Sequence, residues 1–214
     1  MRGPGIALLL LALLCSPLLA QERRHGRIFP PQSLGELEGP DREAWQKPDQ
    51  IMDALGIADG SVVADLGAGG GWFTVRLARR VGPQGLVYAE DVQREMIEAI
   101  ERRVQREGLR NVRTVLGTLD DPKLPARALN AVLIVDVYHE VESRVELLQK
   151  VRDALTPTGR LGIVDFTKAG WGPGPPLDER LDEAVVVKDA TAAGLRLVSR
   201  ETFLPYQYLL VFGR

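Results

Sequence analysis

The 214 residues suffice for one α/β domain with a full core and fall short of two ordinary ones. Hydrophobic residues at 45% and charged ones at 26% describe a chain that folds rather than a disordered one. A formal net charge of −2 supplies no field to gather DNA or RNA, whose binding rests on neutralising many phosphates, so nucleic acid is not the expected partner.

Arg2, an apolar run from Ile6 to Leu14, and Ser16-Pro17 ahead of Ala20 have the layout of a secretory signal peptide. The run is shorter than the roughly 20 residues that span a bilayer. Residues 1–20 are therefore read as a cleaved export signal to the periplasm or medium, with an uncleaved anchor as the alternative. Removal at Ala20 takes the single cysteine, Cys15, with it, and the mature chain is left without thiol chemistry. Residues 21–47 are charged, rich in Pro and Gly and without sustained periodicity, and read as an arm before a domain at 48–214.

From Pro48 an amphipathic stretch with Ile51, Met52 and Leu55 ends at Gly56, and Asp59-Gly60 turns into the next segment. Apolar runs of strand length follow at Ser61–Leu66, Leu86–Glu90, Val112–Leu116, Ala131–Val137 and Arg160–Phe166. Between them lie segments of helical spacing, marked by Val75, Leu77 and Ala78, by Met96, Ile97, Ile100 and Val104, and by Val145, Leu148, Val151 and Leu155. Such alternation predicts a parallel sheet with helices on both faces. Leu195–Phe203 and Tyr206–Phe212 are joined only by Leu204-Pro205, a link that permits a hairpin and forbids a parallel crossover.

Gly67, Gly69 and Gly71 follow the first strand and open a helix, the setting in which a ligand approaches the backbone closely. A fixed carboxylate at Asp65 opposes the pyrophosphate of a dinucleotide and favours the cationic ammonium and sulfonium of S-adenosylmethionine (SAM). Trp72 stands where a dinucleotide fingerprint has its third glycine. Asp91, with Glu90 as its rival, ends the second strand where an acid accepts from ribose hydroxyls, and the other of the two reads as a solvated acid at a helix start. In Leu116–Pro122, Asp120, with Asp121 in reserve, is placed to accept from the adenine amino group, the alternative being an Asp-Pro turn.

Asp65-Leu-Gly-Ala-Gly-Gly-Gly, Asp91 and the Gly117–Asp121 loop resemble the first three motifs of class I SAM-dependent methyltransferases, and Leu155-Thr-Pro-Thr-Gly-Arg-Leu resembles the stretch before their fifth strand. Asn130 departs from the acid usual at the start of the fourth strand, and the third-motif loop is long. The resemblance, from about Gln46 onward, implies a Rossmann-like sheet of seven strands, mostly parallel with a C-terminal antiparallel hairpin. It also implies SAM as cofactor and a lid over it from Arg42, Trp45 and Gln46. The acceptor is then expected at Asp136-Val-Tyr-His-Glu140, outside the strand ends. His139 is the candidate base, Tyr138 packs on the cofactor or orients the acceptor, and Glu140 holds the histidine or caps a helix starting at Glu142. The cluster equally reads as one that merely closes the pocket, because aligned methyl transfer does not always need a base.

Tyr206, Gln207 and Tyr208 are further candidates to line the acceptor side. The sequence has no metal-binding spacing, since His25 sits in the arm far from His139, and no nucleophile elbow. The function expected is methyl transfer to a small or medium-sized acceptor. Its rivals are an exported, non-catalytic domain that binds SAM or a nucleoside and, further off, an NAD-dependent oxidoreductase.

Overall fold

The computed structural model describes residues 28–170 and 172–214. The expected signal peptide, Cys15 and His25 lie outside the described residues. Within the segment read as an arm, a 3₁₀ stretch runs over Pro31–Glu38 and a short helix α1 over Arg42–Gln46. Helix α2 (Pro48–Ala54) starts on a proline, tolerated where the backbone N–H has no helical partner. The sheet is built from β1 (Val62–Leu66), β2 (Leu86–Asp91), β3 (Val112–Leu116), β4 (Leu129–Val135), β5 (Leu155–Phe166), β6 (Arg196–Glu201) and β7 (Gln207–Gly213).

These seven strands lie in the order β3-β2-β1-β4-β5-β7-β6. All pairings are parallel except those of β7 with β5 and β6, so the predicted sheet and its closing hairpin are both present. Helix α3 (Trp72–Val81) links β1 to β2, α4 (Arg94–Arg106) links β2 to β3, and α5 (Arg144–Ala154) links β4 to β5. Helix α6 (Glu183–Ala192) precedes the hairpin and was not foreseen, because Val185, Val186 and Val187 in succession show no helical spacing. It starts at Asp182, whose side chain accepts from Ala184 N. Leu155, expected to end α5, instead opens β5 and pairs with Leu129, and α5 starts at Arg144 rather than Glu142.

Each face of the sheet has its own core. Ile51, Met52, Phe73, Leu77 and Val81 from α2 and α3 cover one face, and Leu148, Val151, Val186 and Ala190 from α5 and α6 cover the other. A fully buried Leu or Ile here contributes about 2 kcal/mol. Among the described residues no helix is long and apolar enough to cross a membrane. The order places β1 beside β4, from whose ends the chain departs in opposite directions, and a crevice opens there as the general rule for such sheets requires.

Candidate functional site

Gly67 and Gly69 have φ of +69° and +54°, a left-handed backbone that side chains rarely adopt. At Gly67 a Cβ would lie 2.7 Å from both Val137 γ-carbons, so the turn passes directly against the end of β4. The amide of Gly67 donates to Glu90 Oε2 at 3.3 Å and that of Gly69 to Asp91 Oδ2 at 2.9 Å. Gly71 does not line the cavity as expected of a cofactor contact: it starts α3 in a left-handed conformation, and a Cβ there would face Ile100 and Thr74. Gly70 borders the cavity instead.

Above this loop lies a cavity of about 310 Å³. Asp65, Glu90 and Asp91 are buried along its floor. Burial lifts the Asp65 carboxyl to about 6, against a 2.6 Å hydrogen bond from Thr74 Oγ1 and the charge of Arg42. Burial, reinforced by the neighbouring Asp91 charge, lifts Glu90 to about 8. Asp91 is raised by burial although the amides of Gln93 and Gly69 donate to it. Neither Glu90 nor Asp91 is the solvated acid that one of them was expected to be, since β2 carries both under the loop.

These shifts set a pH dependence. A buried acid whose pKa is raised on folding stabilises the fold fully below its unfolded value, and loses that contribution as pH rises through the folded value. The ligand-free protein is expected to melt at higher temperature at pH 6 than at pH 8.5, chiefly through Glu90, whose window runs from about 4.5 to about 8. Scanning calorimetry across that range checks it, and a melting temperature that rises with pH would contradict the burial argument.

The roof comes from the arm. Ile28, Phe29, Leu34, Glu38 and Arg42 all border the cavity. Phe29 N donates to Glu140 Oε2 at 3.1 Å, Gln93 Nε2 donates to Phe29 O at 3.0 Å, and Glu38 pairs with Arg103 on α4. Leu34 packs over Gly70, where a Cβ would come within 3.0 Å of it. The lid expected from Arg42, Trp45 and Gln46 is therefore reached earlier in the chain, at 28–38, with Arg42 also bordering the cavity. Trp45 stacks near Phe166 and Tyr206, with ring centroids at 6.2 and 5.9 Å, away from the cavity lining.

Asp136 stands at the end of β4 with φ +59° and is bound from two distant segments. Gln46 Nε2 donates to its Oδ2 at 3.0 Å, Gln207 Nε2 donates to its Oδ1, and the Arg42 guanidinium lies 3.5 Å from Oδ2. Burial lifts this carboxyl to about 6, with Arg42 pulling the other way. The left-handed turn at Asp136 re-aims the next residues. Val137 and Glu140 line the cavity, whereas Tyr138 turns into the core beside α6, with its hydroxyl donating to Asp189 Oδ2 at 3.3 Å. Tyr138 is thus too deep to pack on a cofactor as expected. His139 also stands off the cavity lining, and its Nδ1 lies 2.9 and 3.0 Å from the two oxygens of Asp165.

Asp120 was expected to meet adenine, but its carboxylate faces out and accepts from Thr118 Oγ1 at 2.7 Å, which together with local backbone donors holds its pKa below the usual range. Asp121 is likewise off the lining, its Oδ1 accepting from Lys123 N, while Thr118 and Leu119 border the cavity. Asp120→Asn is expected to leave SAM affinity within about twofold, as for a surface change away from any contact. A calorimetric titration decides it, and a tenfold loss would return the aspartate to the site. Of the hairpin residues, Gln207 reaches the site through Asp136, while Tyr208 is buried, its hydroxyl meeting no hydrogen-bond partner among the described residues.

Residues 63–159 match the family model described as a methyltransferase domain. The chain is 33% identical over 124 residues to a ubiquinone/menaquinone biosynthesis C-methyltransferase of Pasteurella multocida, covering 55% of this chain and 44% of that protein. It is 34% identical over 128 residues to an uncharacterized methyltransferase of Mycobacterium bovis, covering 58% and 49%. The chain spans about half the length of the curated relatives it matches. A solved SAM-dependent methyltransferase from Aquifex aeolicus superposes with TM-score 0.83 at 27% identity, over 86% of this chain and 98% of that one. The [4+2]-cyclase SpnF shares the fold at TM-score 0.67 and 16% identity, over 80% of each chain.

SAM is the cofactor that this fold implies, and the lining fits it. The floor acids favour a cation, whose charge draws them toward their ionised form, and oppose a pyrophosphate, and the two left-handed glycines keep the turn free of side chains. The chain has the Rossmann-like fold of class I methyltransferases, and its segment 63–159 matches the model of a methyltransferase domain.

Proposed function

We propose that this chain transfers the methyl group of SAM to a small or medium-sized, largely apolar acceptor. The observation that carries the reading is a floor of buried acids under a glycine turn, facing walls made by Phe29, Leu34, Phe73, Val137 and Val141. Bound SAM supplies an electrophilic methyl on a sulfonium. Asp91 would accept from the ribose hydroxyls, Asp65 and the Gly67–Gly70 backbone would hold the methionyl ammonium, and Arg42 its carboxylate. Met96, Thr118 and Leu119 border the side left for adenine. The arm excludes water from above, which strengthens every charge interaction inside.

The names of the quinone-biosynthesis relatives, joined to these apolar walls, favour an aromatic hydroquinone acceptor. Calorimetric titration with SAM, S-adenosylhomocysteine and NAD, followed by labelled methyl transfer to a short-chain prenyl naphthohydroquinone, tests the reading. Micromolar binding of the first two with none of NAD is expected. No binding of either would end it.

A second reading is an exported domain that binds SAM or a nucleoside without turnover. The apolar run Ile6–Leu14 after Arg2 favours export, and SAM is made in the cytosol. N-terminal sequencing of the protein recovered outside the cytosol tests export, with cleavage after Ala20 expected.

A further inference from the structure

His139 has a chemically suitable ring but stands off the cavity, and the group between it and the cavity is Glu140. One oxygen of Glu140, Oε2, is occupied by the Phe29 amide at 3.1 Å. The other, Oε1, lies 3.9 Å from His139 Nε2. Behind the ring, Asp165 is fully buried at the end of β5 and receives three N–H groups: His139 N at 3.1 Å, Phe166 N at 2.8 Å and the imidazole Nδ1 at 2.9 Å. An ionised carboxylate held this way fixes the proton on Nδ1 and leaves Nε2 as the nitrogen that can accept one on the side of Glu140.

We propose that Glu140 is the catalytic group that takes the acceptor's proton, with His139 and Asp165 behind it as the positioning pair that receives and balances that proton. The assignment rests on the methyl-transfer reading above. An electron pair of the acceptor atom forms the bond to the methyl carbon, and the carbon–sulfur bond breaks with its pair left on sulfur. The acceptor's proton passes to Glu140 Oε1, and on to His139 Nε2 once the carboxyl closes the 3.9 Å between them to hydrogen-bond reach. The resulting imidazolium is neutralised by Asp165, so no net charge accumulates in the pocket.

The surroundings suit that task. Burial lifts Glu140 to about 7, against the pull of His139 and the Phe29 amide, with Asp165 and Asp91 adding negative charge from the ends of β5 and β2. Burial presses His139 down, but Asp165, Glu140 and Asp136 more than reverse it and its pKa ends raised. Glu140 and His139 each raise the other's tendency to hold charge and so take up and release protons as a coupled pair.

The test uses the full chain saturated with S-adenosylhomocysteine. Imidazole ¹⁵N shifts are followed against pH, with His25→Gln isolating the His139 signals. Glu140→Gln keeps an oxygen for the Phe29 amide while removing the proton site. It should lower the proton affinity of His139 about fivefold or more, as loss of a neighbouring negative charge demands. Asp165→Asn should abolish the preference for the Nδ1–H tautomer, a signature that a purely structural role would not give. On short-chain prenyl naphthohydroquinone, Glu140→Gln should cut turnover by about 10²-fold or more. It should also remove the rise in rate with pH near 7, with homocysteine-product affinity within about threefold of wild type.

An unchanged His139 titration in Glu140→Gln overturns the proposal, as does unchanged turnover. Failure of the wild type to bind S-adenosylhomocysteine sinks the methyl-transfer reading itself. If the wild type binds it but leaves the naphthohydroquinone unmethylated, the acceptor class is wrong, and the ¹⁵N titration by itself then upholds or overturns the Glu140–His139 pair.

Discussion

Gly67→Ala is expected to weaken SAM binding by about 30-fold, equivalent to about 2 kcal/mol, while leaving a folded protein. The added methyl would lie 2.7 Å from both Val137 γ-carbons, and the backbone φ of +69° places it in the left-handed region. That conformation alone costs an L-residue about 1–2 kcal/mol. Relief comes only by pushing Val137 into the cavity or lifting the turn off Glu90 and Asp91, and either movement spoils the cradle. Gly69→Ala is the comparison, because a Cβ there meets nothing within 4 Å, and it should lose less than about tenfold from its φ of +54°. Calorimetric titration of both variants separates steric contact from backbone strain. Wild-type affinity in Gly67→Ala would show that the ligand does not use this turn.

Asp136→Ala is expected to have the largest effect on stability, about 3 kcal/mol, because removing one partner of a buried polar network leaves the others uncompensated. Gln46, Gln207 and Arg42 would lose a common acceptor between the arm and β7. For a chain of this length that loss corresponds to roughly 10 °C in melting temperature. Asp136→Asn should cost less, about 1–2 kcal/mol, since asparagine tolerates the left-handed backbone and keeps an acceptor oxygen for one of the two glutamines. Thermal melts monitored by circular dichroism compare the two. Equal losses would mean that the Arg42 charge and the amide network contribute nothing separable.

Much of the sheet was legible because buried parallel strands are continuous apolar runs and Leu204-Pro205 is too short for a crossover. The floor of the cavity was legible at Asp65, Gly67, Gly69 and Asp91, whose positions at strand ends follow from chain order alone. Side-chain direction beyond a strand end was not. One left-handed residue, Asp136, turns Tyr138 into the core and Glu140 toward the cavity, and no spacing rule forecasts that rotation. Asp120 was misplaced for the same reason, because the turn closed by Thr118 and Asp121 throws its side chain outward. The Gln46–Asp136–Gln207 network joins positions 90 and 161 residues apart, so neither glutamine carried a local signal. Phe29 contributes a backbone amide and carbonyl, groups that every residue but proline has.

The cavity's parts differ in origin along the chain. The floor and the Val137 and Glu140 wall fall inside the segment 63–159, whereas Phe29, Leu34, Arg42, Gln46, Asp165 and Gln207 fall outside it. A chimera that grafts this 63–159 core into a relative's flanks would therefore carry over the acidic floor, the glycine turn and Glu140. The roof, and the cation that Arg42 supplies here, would have to come from the host's N-terminal flank.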